Sequence, residues 1–433
     1  MRKPALAALA SLIAGTLLSV HAHALDLMQV YQEALANDAQ FASARATLTA
    51  GQERAVQARA GLLPVIGLGG AYSRADPPGP ISAVNTNTYA ISLSQPLFRL
   101  ANWETYQQGK LSVAISEAQF AQAQQDLIVR VAQAYFDVLA AQDTLASVQA
   151  QKTAITEQLA SAKRNFEVGT ATITDTHEAQ ARYDLSIAQE FAAQNDLEIR
   201  RSALQQIIGR PAGELAQLRP GVRLTPPEPA QVTNWVESAE QQNYGVLAQQ
   251  LALEISRSEI KRNRAGHYPT LDLQASRSHS NRTSVPGAPT GGTNSVSLQW
   301  NIPLFTGFAV DSRVREAIAL EDRARADLEN VRRTAAQGAR QAFLGVNAGL
   351  AQVRALEAAE VSSQSALESN QLGYQVGVRI NIDVLNAQQQ LFSTRRDLAR
   401  ARYETIVNGL RLKSAAGTLG VDDVMQVNGL LAR

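Results

Sequence analysis

The sequence predicts a mainly α-helical chain that also carries four strands of a membrane β-barrel, and three observations predict it. Residues 97–210 and 304–433 contain no proline and repeat apolar residues at helical spacing. Four short segments near the proline clusters alternate apolar with small or polar residues. The same motifs also occur twice, in the same order, along the chain.

Residues 1–24 read as a signal peptide. Arg2 and Lys3 form a basic start, residues 5–20 are apolar, and Ala22-His23-Ala24 fits a small-x-small cleavage site. The run is too short and wrongly flanked to cross a membrane as a helix. Without Arg2 and Lys3 the chain holds 38 basic side chains (40 − 2) against 39 acidic ones. Such a neutral chain offers no basic stripe for phosphates, so no nucleic-acid partner is expected. Cysteine is absent, which excludes disulfides, thiol catalysis, thiolate metal sites and a lipid on an N-terminal cysteine. No later apolar stretch approaches the ~20 residues of a spanning helix. An exported chain of this kind is periplasmic, secreted or an outer-membrane barrel, and the residue pattern decides.

The first repeat, 25–210, opens with a helix and then a hairpin at about 65–98. Ile66, Leu68 and Tyr72 alternate with Gly67, Gly69 and Ser73, and Tyr89, Ile91 and Leu93 with Ala90, Ser92 and Ser94. A polar Gly/Pro-rich loop, 75–87, joins them. The long helix that follows has its seam at Leu127, Val131, Tyr135, Val138, Leu145, Val148, Ile155, Leu159, Ala162 and Phe166, stepping by threes, fours and sevens. From about 99 to 166 it measures ~100 Å at 1.5 Å per residue, too tall for a compact domain. A Val-Gly turn and a second helix complete the repeat. Residues 211–231 form a proline-rich connector. The second repeat, 232–433, has its hairpin at about 270–305. Leu271 and Leu273 there alternate with Asp272 and Gln274, and Val296, Leu298, Trp300 and Ile302 with Ser297, Gln299 and Asn301, across a loop at 281–294. Val346, Leu350 and Val353 continue the helical seam. Tyr72, Tyr89, Trp300, Phe98 and Phe305 lie near strand ends, where aromatic girdles meet a membrane interface. Four strands cannot close a barrel and lipid tolerates no open edge. Three chains would supply twelve strands, above the roughly eight of the smallest membrane barrels.

The duplication is explicit. Pro96-Leu97-Phe98 recurs as Pro303-Leu304-Phe305, an offset of 207 (303 − 96), and Phe166-Glu167-Val168-Gly169 as Tyr374-Gln375-Val376-Gly377, an offset of 208 (374 − 166). Arg59-Ala60-Gly61 and Pro64 return as Arg264-Ala265-Gly266 and Pro269. Two repeats in each of three chains suit a quasi-sixfold helical tube.

With these motifs the chain resembles the TolC family of outer-membrane factors over essentially its whole mature length. The likeness rests on Leu27-Met28-Gln29-Val30-Tyr31, on the stretch from Tyr374 through Arg379, Asp383 and Leu385 to Gln388, on Ala401-Arg402-Tyr403, on 412–419, and on 165–175 in the first repeat. The resemblance implies a homotrimer with a 12-stranded barrel in outer-membrane lipid, an α-helical barrel in the periplasm, and a belt of short elements around its middle. It implies a passive exit duct for drug efflux, hence multidrug resistance, or for type I protein secretion. Its partners would be a periplasmic adaptor (membrane fusion protein) and an inner-membrane pump of RND, ABC or MFS type. The adaptor-facing tips would be Val168, Gly169 and Thr170 with Val376, Gly377 and Val378.

The resemblance also places Asp383 at the periplasmic mouth, where three copies would ring the pore. The residues alone equally allow Asp383 to cap a helix starting at Val384. Asn386 stands where the family's tightest mouths carry a second acid, so its ring is expected to be less negative. Tyr374 and Arg379 match residues that in the family bond to Thr174 and Asp175, links whose loss would open the mouth; solvated tip charges are the alternative. Arg402 joins this gating set by the same likeness. His177, His267 and His279 show no ligand spacing. No catalytic constellation, phosphate loop or metal cluster is recognisable, so neither enzyme activity nor a cofactor is expected. A soluble periplasmic coiled-coil scaffold explains the helices but not the strands, and a diffusion porin would be mostly strand.

Overall fold

The computed structural model describes residues 24–76, 78, 83–283 and 291–432. All of the leader but Ala24, and the middle of each hairpin loop, lie outside them. In chain order the elements are α1 (Leu27–Asn37), α2 (Ala39–Ala60), β1 (Val65–Ala75), β2 (Val84–Phe98), α3 (Leu100–Glu167) and α4 (Ile173–Ile208). After the connector come α5 (Val232–Gln242), α6 (Tyr244–Arg264), β3 (Thr270–Thr283), β4 (Gly291–Asn301), α7 (Ala309–Gln375), α8 (Asn381–Ala415) and α9 (Val421–Asn428).

The seam residues explain the long helices. α3 runs 68 residues, ~100 Å, and of its ten seam positions only Phe166 is exposed. Its first half packs on α2 and α6, and its second on α4 and α8; α7 lies along α6, α5 and α8. Neither α3 nor α7 closes on itself as a core. Each is one stave, and its stability comes from neighbours along its length.

The strands form one antiparallel sheet in the order β1-β2-β3-β4, so the two hairpins join through β2 and β3 and leave β1 and β4 as edges. Ile66, Leu68, Ile91, Val296, Leu298 and Trp300 all face solvent, Leu68 with 78% of its surface. The ladders reach further than the loops read from sequence: β1 continues to Ala75, β2 starts at Val84, and Gly291 and Gly292 pair with β3. The polar Thr and Asn residues there extend the pairing. β4 ends at Asn301, short of 305, because Pro303 has no amide to donate. On β2, Pro96 is accommodated by a bulge before Phe98. Immediately after it, Arg99 forks onto Asp272, Nε to Oδ1 at 2.8 Å and Nη2 to Oδ2 at 2.6 Å, tying the exit of the first hairpin to the second.

The largest buried cluster lies at mid-length, where α1, α9 and the connector wrap the long helices. Leu27, Val30, Tyr135, Phe136, Leu204 and Val424 belong to it. The Tyr135 hydroxyl lies 2.7 Å from the carbonyl oxygen of Ala216, and isolated bridges join Leu25 to Leu215 and Leu218 to Leu431. Beside this belt the Tyr403 hydroxyl donates to Asp143 at 2.6 Å. Burial pushes the Asp143 carboxyl above its ordinary value, and the opposing pull of Tyr403 and Arg402 does not cancel it. Between the ordinary and raised values the folded chain binds more protons than the unfolded one, so stability falls as pH rises through that window. Asp143→Asn keeps an acceptor for Tyr403 and is expected to remove this fall and raise Tm at neutral pH. Thermal scans with the same pH profile as wild type would contradict it.

Candidate functional site

The two turns at the far end of the long helices are built alike. Beyond α3, Gly169 adopts φ +78°, its amide bonds the Phe166 carbonyl, and the Thr170 amide bonds Asn165. Beyond α7, Gly377 adopts φ +83°, with its amide on Tyr374 and the Val378 amide on Gly373. This doubled closure needs a left-handed residue after the last turn, a position that only glycine takes without steric cost. It leaves Val168, Val376 and Val378 exposed, Val378 by 75%. The predicted tip residues therefore stand together as two apolar knuckles.

The helices leaving these turns start differently. Thr172 caps α4 in a closed box: the Asp175 amide donates to Thr172 Oγ1 at 3.3 Å, and the Thr172 amide and hydroxyl donate to Asp175 Oδ2 at 3.0 and 2.7 Å. In the second repeat, 208 residues on, the corresponding pair is Ile380 and Asp383. Ile380 has no hydroxyl, so α8 has no side-chain cap. Asp383 is left with Arg379 Nη1 at 3.7 Å. The alternative of Asp383 as a cap before Val384 is thus corrected: α8 begins at Asn381, and Asp383 sits inside its first turn, where the helix dipole favours a carboxylate.

The gating links are not made within one chain: among the described residues, no hydrogen bond or ion pair joins Tyr374 or Arg379 to Thr174 or Asp175. Asp175 turns its Oδ2 into the capping box, and the Tyr374 hydroxyl accepts from Asn165 Nδ2 at 3.2 Å. The stem of Arg379 lies across Gly373, where a Cβ would come within 2.6 Å of its Cγ. Arg402 is elsewhere. It lies 21 residues into α8, ~31 Å from the tip at 1.5 Å per residue, and its Nη2 donates to Glu357 Oε1 of α7 at 2.8 Å.

Sequence reasoning passed over three polar side chains that bind the tips together. Asn381, 1% exposed, donates to the Asp175 carbonyl at 3.1 Å and accepts from Gln158. Asn165 holds Tyr374. Arg182 of α4 donates to Asn386 Oδ1 at 3.0 Å and to Gln389. The available signal was spacing: Asn381 and Gln388 are polar, seven apart and both buried on the packed face of α8. Between them Leu385 packs with Ile155, Leu159, Ala162 and Ala179, which docks α8 onto the α3/α4 pair.

Two stacked repeats, a four-stranded apolar sheet and paired helical tips can be compared with known proteins. The sequence profile described as "Outer membrane efflux protein" matches residues 30–210 and 235–418. The chain belongs to the outer membrane efflux protein family. It is similar to the outer membrane protein TolC of Escherichia coli (strain K12), 35% identical over 423 residues, covering 94% of this chain and 85% of that one. It is 34% identical to the proteases secretion protein PrtF of Dickeya chrysanthemi, covering 94% of this chain and 91% of that one. Its fold is that of the Campylobacter jejuni CmeC outer membrane channel, with a TM-score of 0.80 at 18% identity over 94% of this chain and 90% of that one. As an outer membrane efflux protein the chain is an exit duct of the Gram-negative outer membrane, of the kind that serves efflux and type I secretion. The family is one of channels, not a class of enzymes.

Proposed function

We propose that three copies of this chain close their sheets into one 12-stranded barrel, and that the duct is held shut at the helical tips until a periplasmic adaptor and an inner-membrane pump engage it. The observation that carries this is the sheet itself. It exposes an apolar face and has two edge strands, β1 and β4. In lipid an edge with unpaired amides is intolerable, and closure through copies of the same edges removes it.

The exposed valines of the two knuckles are the adaptor-facing contacts. Asp383 lines the mouth as a ring of three carboxylates, and Asn386 contributes no second charge. Tyr374 and Arg379 form the latch, with Tyr374 tied to Asn165 and Arg379 reaching the α4 tip of the partner subunit. The type of pump follows from its partners and not from this chain's site.

Single-channel recording of the detergent-purified protein in a planar bilayer, with native mass spectrometry of the same sample, tests the proposal. Small cation-preferring steps from a species of three chains are expected. A folded protein that partitions without detergent into the soluble fraction, and never inserts, would leave a periplasmic scaffold instead.

A further inference from the structure

A cationic side chain breaks the apolar face of the sheet. Directly opposed residues in an antiparallel ladder share a face, so the register arranges the face in rows. Ile66, Leu93, Ala275 and Val296 form one row; Leu68, Ile91, Arg277 and Asn294 form the next, further from the helices. Beyond that lies the row of Gly70, Tyr89, His279 and Gly292. None of these three rows holds an Asp or Glu to neutralise Arg277, whose side chain is exposed. At the helix-proximal end the matching row is Phe98, Leu271 and Trp300, with no cation. The two ends of the apolar band are therefore chemically unlike.

Arg277 lies six residues beyond Leu271, roughly 20 Å along the strand at 3.3 Å per residue. At the ~40° tilt of a membrane barrel strand this is a rise of ~15 Å, which places it in the upper half of an apolar band ~25 Å tall, on the side of its far edge. Tyr89, one row further, and Tyr72, beyond it on β1, are the aromatics that mark that edge. An arginine there lays its aliphatic stem along the apolar surface and sends its guanidinium up to the headgroups. With no carboxylate on the rows around it, its charge calls for an anion from the lipid, and its planar donor fork matches phosphate oxygens.

We infer that Arg277, flanked by Tyr89 and His279, binds the phosphate of an anionic glycolipid in the outer leaflet. The inference rests on reading the apolar face as the lipid-facing one. Native mass spectrometry of the detergent-purified channel, titrated with bis-phosphorylated lipid A, with dephosphorylated lipid A and with phosphatidylethanolamine, tests it. Wild type is expected to bind the phosphorylated form roughly tenfold more tightly than the dephosphorylated one, the scale of one charge-assisted contact. Arg277→Gln should lose that preference and Arg277→Lys keep part of it. Equal binding of the two glycolipids by wild type, which requires no variant to fold, overturns the inference, and so does an unchanged preference in Arg277→Gln. Displacement of the glycolipid by inorganic phosphate alone would assign the site to the free anion and overturn it too. Retention of none of the three lipids would overturn the lipid-facing reading of the sheet and the site with it.

Discussion

Tyr374→Phe combined with Arg379→Ser is expected to raise single-channel conductance several-fold, and Tyr374→Phe alone to raise it less. The hydroxyl of Tyr374 accepts one neutral hydrogen bond, from Asn165 at 3.2 Å, a contact of ~1 kcal/mol. The Arg379 guanidinium is exposed, so the ionic contact proposed for it across the subunit boundary is also of order 1 kcal/mol or less. Neither alone holds a channel shut. In the proposed trimer three copies act on one mouth, so both together come to ~6 kcal/mol at most. Driving a two-state equilibrium from almost all closed to almost all open takes about 5.5 kcal/mol. The double variant crosses that threshold and the single variant does not, so the graded series is the diagnostic. Asp175→Ala should behave like Arg379→Ser if Oδ1 of the partner subunit's Asp175, which the capping box leaves unused, receives Arg379. Unaltered conductance in a double variant of correct trimeric mass would make these residues solvated tip charges.

The same residues show what a sequence can and cannot disclose. Proline exclusion and the seam from Leu127 to Ala162 made the helices legible, because both act within a few turns of the chain. Alternation around Ile91 and Leu298 made the strands legible for the same reason. The tip network was not legible, because its contacts join residues hundreds of positions apart: Asn165 to Tyr374, Asn381 to Gln158, Arg182 to Asn386. Nothing local in Asn165 distinguishes it from other polar residues at a helix end. Arg402, 21 residues of straight helix and ~31 Å from the tip, pairs with Glu357, a contact between α7 and α8 that no local pattern discloses. The role of Asp383 lay between these cases. Setting the two repeats side by side pairs Thr172 with Ile380, and the missing hydroxyl explains why Asp175 is held in a capping box and Asp383 is not.

Asp383→Ala is expected to lower the cation-over-anion permeability ratio several-fold at low salt. The Asp383 carboxylate has no capping partner and is partly exposed at the start of α8. In the proposed trimer, three such groups around one narrow mouth would raise the local cation concentration, an effect confined to about a Debye length. That length is ~10 Å at 0.1 M salt and ~3 Å at 1 M, so the difference between wild type and variant should shrink as salt rises. Arg379 lies close enough to mask part of the charge. Arg379→Ser should therefore raise cation preference, and this opposite sign separates selectivity from gating. Asn386→Asp should strengthen cation preference less than a free carboxylate would, because Arg182 already holds that position at 3.0 Å. Identical reversal potentials in wild type and Asp383→Ala would confine Asp383 to favouring the first turn of α8, since a carboxylate that only complements a helix dipole stabilises the fold and leaves the passing ion untouched.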